Sequence, residues 1–230
     1  MPATGARAAI SLLRTASLPA LVQDEIVRML RAGAVRAGDK LSEAALAAKL
    51  GVSRGPVREA FRALEETGLV RSEKNRGVFV REITAAEAAD LYALRAGLDE
   101  LAGRLLAPIV TDAQIAALRR MIARMDRLGP RGIDAYFPLN LSFHDQIVAY
   151  AGNRKLLLTY RRVINEMHLL RRQGLARGGG LDVSNDEHRT IVDALERRDV
   201  ARVTAAMREH VLAGARRMTA TLGQNMISTA

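Results

Sequence analysis

The chain has 230 residues and a formal net charge of +10; it contains no cysteine and no tryptophan, and is 49% hydrophobic but only 3% aromatic. Disulfides and thiolate metal sites are excluded, which fits a reducing cytoplasm, and no apolar run is long enough to span a bilayer. The core must come from Leu, Ala, Val and Ile, which suits helix-on-helix packing, and the positive excess points to a polyanionic partner without locating it.

The first residues, 1–14, read as a flexible N-terminal arm, too weakly apolar for a signal peptide. Residues 20–32 place Leu21, Val22, Ile26, Met29 and Leu30 on one helical face. "GAVRAGDKL" follows as a glycine-punctuated turn, and Ser42 is positioned to cap a short helix, 43–50, that stops at Gly51. Ser53 begins a third helix. Pro56 falls in its first turn, Val57, Phe61 and Leu64 form its buried stripe, and Gly68 ends it. Arg54, Arg58 and Arg62 recur on another face at helical spacing. Residues 69–73 and 77–81 read as two short strands joined by "EKNRG". Three helices and a two-stranded wing in this order predict a winged helix-turn-helix over 15–82.

From residue 84 the pattern is helical throughout. Helices are expected at 85–107, 112–128, 133–151, 154–173, 185–197 and 200–222. Capping boxes at Thr84…Glu87, Thr111…Gln114 and Ser184…Glu187 mark three of the starts. The expected fold is mainly α, with an all-α bundle of six or seven helices over 83–230.

A major groove admits one helix and is read by side chains near its N-terminus, where Arg54 and Arg58 sit. Ser53 can present its hydroxyl and the helix-end N–H groups to a phosphate. Asn75, Arg76 and Gly77 lie in the turn of the wing. The stretch "LSEAALAAKLGVSRGPVREAFRALEETGLVRSEKNRGVFV" closely resembles the N-terminal domain of GntR-family bacterial transcription regulators. The resemblance implies DNA contacts by Ser53, Arg54, Gly55, Pro56, Arg58 and Gly77, with Arg62 and Arg76 as further candidates. Some members use an Arg after the residue matching Glu43; here Ala44 stands there, which removes that contact.

The chain has four histidines, at 144, 168, 188 and 210. Asn140 and His144 share a helical face. A hairpin turning at Asp199 would bring His188 and His210 level with each other, about eleven residues from the turn on either side. Three imidazoles and one amide oxygen supply four ligand positions for a divalent cation. Asp145 and Glu187 neighbour these residues but are expected to point about 100° away, which argues against a positioned general base and a metal-dependent hydrolase. "NLSFH…EHRTIVDALERRD…AAMREHV" resembles the FCD ligand-binding domain of the FadR-type branch of GntR regulators. That resemblance implies a metal (zinc, nickel or manganese) on Asn140, His144, His188 and His210, and leaves His168 as structural or pocket-lining. Many members have Asp where Asn140 stands, so this neutral ligand implies a weaker site or one completed by an anionic effector. The resemblance also implies a small organic or sugar acid as effector, with Arg95, which matches a family Arg facing the pocket, as its carboxylate partner; Asn165 on the fourth bundle helix is a further candidate. A homodimeric repressor on a palindromic operator follows in the same way; a regulator responding to the metal alone is the alternative.

Overall fold

The computed structural model describes residues 17–128, 132–167, 169 and 180–227. The expected arm at 1–14, His168 and the end of the fourth expected bundle helix lie outside the described residues. Two compact units divide the chain, Met1–Ile83 and Thr84–Ala230. No helix among the described residues is long and apolar enough to cross a membrane.

The first unit holds α1 (Leu18–Arg31), β1 (Lys40–Leu41), α2 (Glu43–Leu50), α3 (Arg54–Glu66), β2 (Val70–Glu73) and β3 (Gly77–Val80). Ser17 and Ser42 accept hydrogen bonds from Ala20 N and Ala45 N, capping α1 and α2. Gly51 closes α2 in the left-handed region at φ 65°, where a side chain would be strained. Ile26, Leu46, Val57, Phe61, Leu64, Leu69 and Val80 are buried and form the core of this unit. The sheet is antiparallel in the order β1-β3-β2, with Lys40 opposite Phe79 and Arg71 opposite Phe79. It has one strand more than the sequence reading expected. A strand of two residues is too short to show alternation, so β1 is visible only once β3 pairs with it.

The second unit is helical: α4 (Ala85–Leu106), α5 (Asp112–Asp126), α6 (Ile133–Tyr150), α7 (Arg154–Met167), α8 (Gly180–Glu196) and α9 (Val200–Ile227). Capping boxes close the starts of α4 and α5. α4 lies against α6, α7 and α9, while α8 packs on α5 and α9. A Cβ at Gly103 would come within 2.8 Å of Val203, so the α4–α9 crossing requires a residue with no side chain. Phe143, Ile147, Ile191, Leu195, Val203 and Met207 are buried between the helices.

The expected helix start at Ser184 is corrected. α8 begins at Gly180, so Ser184 and Glu187 lie inside it. Ser184 is buried and Glu187 bonds to another helix instead of to a cap. Tertiary packing of Asn185, His188, Ile191 and Val192 overrides the weak local signal.

Candidate functional site

In the first unit Ser53 occupies the N-cap of α3, yet its side chain makes no cap hydrogen bond. Ser17, Ser42, Thr84 and Thr111 all bond their own helices. The matching donor position here is Pro56, which has no N–H, so the Ser53 hydroxyl, with the Arg54 and Gly55 N–H groups beside it, is left for an anion. Arg54, Arg58 and Arg62 are exposed, while Val57, Ala60, Phe61 and Leu64 fill the opposite face. Arg58 is oriented by Glu43 of α2, through Nε–Oε2 at 3.3 Å and Nη2–Oε1 at 3.0 Å. Gly55 has no packing reason to be glycine: an added Cβ would meet only Ser53 Oγ, at 4.0 Å. Pro56 sits half-buried beside it.

At the wing tip Asn75 and Gly77 have φ of 63° and 110°. Arg76 pairs with Glu73 and lies 5.6 Å from the Phe79 ring centroid. Arg71 and Lys40 approach the same ring at 5.4 and 5.9 Å. The sequence reading did not single out these two cations. They meet only because β1 and β2 flank Phe79 from opposite sides.

In the second unit the structure brings His144 of α6, His188 of α8 and His210 of α9 into one buried cluster. His144 Nε2 lies 3.2 Å from His188 Nε2 and 3.0 Å from His210 Nε2. Ligands bound tetrahedrally at zinc distances are separated by roughly 3.3 Å, so the spacing suits a shared cation. The opposite ring nitrogens face acceptors. His210 Nδ1 donates to Glu187 Oε2 at 2.7 Å, and a carboxylate can only accept. His188 Nδ1 lies 3.3 Å from Asn185 Oδ1, an amide fixed by Tyr136 and Asp126. His144 Nδ1 lies 3.7 Å from Asp99 Oδ1. The Nε2 lone pairs of His188 and His210 are thus turned inward.

Burial holds the His188 pKa well below the usual imidazole range, and nearby positive charge adds to the effect. Burial also lowers that of His210, against the pull of Glu187. Both rings are therefore neutral near pH 7, the form a metal requires. Burial alone would raise the Glu187 carboxyl, but bonds from His210 and Arg217 bring it down to about 2. Glu187 thus does not point away from the site as the helical spacing suggested. It supports His210 from behind, while Arg217 holds its other side at 2.7 and 2.9 Å. Asp145 does turn outward, to Arg161 at 2.7 Å.

Asn140 lies one turn before His144 on α6, and its buried Oδ1 has no hydrogen-bond partner. An orphaned buried acceptor costs about 1–3 kcal/mol, so this oxygen fits a cation. Arg95 is buried on α4 and ion-paired with Asp99 Oδ2 at 3.4 Å. It is therefore already matched to a carboxylate of its own chain. Asn165 is half-buried on α7. The sequence reading missed Asp99, Asn185, Tyr136 and Arg217.

Residues 90–213 match the FCD domain family, and residues 20–80 match the family described as bacterial regulatory proteins, gntR family. The Nta operon transcriptional regulator of Aminobacter aminovorans is 36% identical over 136 residues, 59% of this chain and 65% of that relative, slightly under two thirds of its length. A Paenarthrobacter nicotinovorans protein named "Probable D-xylose utilization operon transcriptional repressor" is 32% identical over 196 residues, 84% of each chain. Among solved structures the fold is similar to E. coli McbR/YncC, with a TM-score of 0.78 over 89% of this chain and 98% of that one, at 19% identity.

Proposed function

We propose, for a chain that belongs to the GntR family of bacterial regulatory proteins and carries an FCD domain, that its three-histidine site holds a divalent ion together with a small carboxylate effector. Occupancy of that site sets the affinity of a homodimer for a palindromic operator. The chain itself is a DNA-binding transcription regulator, not an enzyme, and relatives bear the names of repressors.

One observation carries the reading: three buried imidazoles, from three helices, with His144 Nε2 at 3.2 and 3.0 Å from the Nε2 atoms of His188 and His210. His144, His188, His210 and the orphaned Asn140 oxygen would hold the ion. When bound, the ion supplies positive charge and open coordination positions. The four protein ligands are neutral, and the guanidiniums of Arg95 and Arg217 are already paired with Asp99 and Glu187. A doubly charged ion would therefore sit in a buried site without a compensating charge on its ligands. That imbalance favours an anionic partner and argues against the ion acting alone. Arg58, Arg54 and the uncapped start of α3 fit the role of reading the operator, with the Gly77 turn as a second contact. The effector acts through its difference in affinity for the free and DNA-bound states.

The test is an operator titration at fixed salt in four arms: metal-stripped protein, added zinc, added organic acid, and both. The expected result is a shift of operator affinity largest when both are present. A full shift with zinc alone would establish the metal as the signal. No shift in any arm, with metal analysis showing none retained, would remove this reading of the site.

A further inference from the structure

Asp99 is fully buried on α4, a helix that contributes no imidazole to the cluster. Its two oxygens are divided. Oδ2 faces Arg95 Nε at 3.4 Å, and Oδ1 faces His144 Nδ1 at 3.7 Å. A buried carboxylate engaging one arginine alone would be best served by both of its oxygens.

The tautomers of the cluster give this division a meaning. Glu187 and Asn185 keep the protons of His210 and His188 on Nδ1, which turns two Nε2 lone pairs towards His144. Without an ion, His144 would satisfy them best by carrying its proton on Nε2. It would then present a bare Nδ1 lone pair to the Asp99 carboxylate, acceptor against acceptor between two buried side chains. With the proton on Nδ1, His144 faces Asp99 favourably, but three lone pairs meet at the centre. A cation relieves that arrangement.

Resting on the metal reading above, we infer that Asp99 is the positioning residue of the site. It holds the His144 ring with its proton on Nδ1 and its Nε2 lone pair turned inward, and Arg95 braces the carboxylate from the other side. Asp99 thereby disfavours the self-satisfied, ion-free arrangement of the histidines. It does so from a helix that carries no metal ligand, in a site whose position 140 offers an amide and no carboxylate. Arg95 is then a brace for Asp99.

The experiment measures zinc affinity of the full-length protein by competition with a chromophoric chelator. Asp99→Asn is expected to weaken zinc binding about ten- to a hundredfold. Because this variant also strands Arg95, the double variant Arg95→Gln/Asp99→Asn is measured beside it, with both charges removed. If Asp99 acts through His144, the double variant stays weak, and its cobalt(II) absorption spectrum differs from that of the unaltered protein. Recovery of normal zinc affinity in the double variant would overturn the inference, since Asp99 would then serve Arg95 alone. Unchanged affinity in Asp99→Asn overturns it as well. Should the single variant not fold, the double variant decides. An unaltered protein that takes up no zinc fails the metal reading first, and the inference falls with it.

Discussion

At the centre of the second unit, His144 has two imidazole nitrogens within 3.2 Å of its own Nε2, and neither neighbour can readily turn its proton inward. Removing one ring should therefore remove the site. His188→Ala and His210→Ala are each expected to lose bound metal, measured by elemental analysis after purification, while keeping a helical circular dichroism spectrum. The same burial gives the metal-free protein a pH dependence. Folded His188 and His210 resist protonation, whereas the unfolded chain takes up those protons near pH 6.5. Stability is therefore lost as pH falls below about 6.5. Glu187 has its folded pKa depressed to about 2, so its contribution is present above the ordinary value of 4.5 and disappears as pH falls towards 2. Urea midpoints of metal-stripped protein should fall from pH 7 to pH 5, and His188→Leu should reduce that fall. At this scale the spacing of Asn140, His144, His188 and His210 was legible, because helix periodicity and a hairpin register convert sequence distance into height. The partners Asp99, Asn185 and Arg217 were not. Glu187–Arg217 and Tyr136–Asn185 span 30 and 49 residues, and no local pattern encodes them.

Among the elements, α3 shows its purpose most clearly, because its stripe of Val57, Phe61 and Leu64 leaves three arginines facing out. Arg58→Ala is expected to abolish specific operator binding with the unfolding temperature unchanged, read by titration at fixed salt. Gly55 makes a complementary case. The fold has room for a Cβ there, so Gly55→Ala should stabilise the helix by up to about 1 kcal/mol while lowering operator affinity. Gain of stability with undiminished DNA binding would show that no phosphate backbone approaches this turn. Helix α3 was legible from its apolar stripe, and α4 and α5 from the capping boxes at their starts. β1 was not, because it exists only through its pairing with β3, and the start of α8 was misread because a cap-like pair, Ser184 and Glu187, serves tertiary bonds instead.

For the molecule as a whole, linkage makes a symmetric demand. If an acid and zinc together change operator affinity by some factor, operator DNA must change their affinity by the same factor. Acid titrations with and without operator DNA should return that equality, and an intact inverted repeat should bind more tightly than a single half-site. The order of winged helix followed by helical bundle was legible because each half has its own periodicity. The meeting of α6, α8 and α9 was legible only through the histidines they carry. That meeting has a further consequence. His144 stands 44 residues from His188 and 66 from His210. An unfolded chain would have to close both loops to grip one ion, on the order of 4 kcal/mol of entropy for the larger. Folding has closed them already. In a chain with no cysteine, a bound ion would thus act as a removable staple across three helices, recognising the folded chain and scarcely the unfolded one. Chelation should lower the unfolding temperature, and restoring zinc should bring it back without any change of redox conditions.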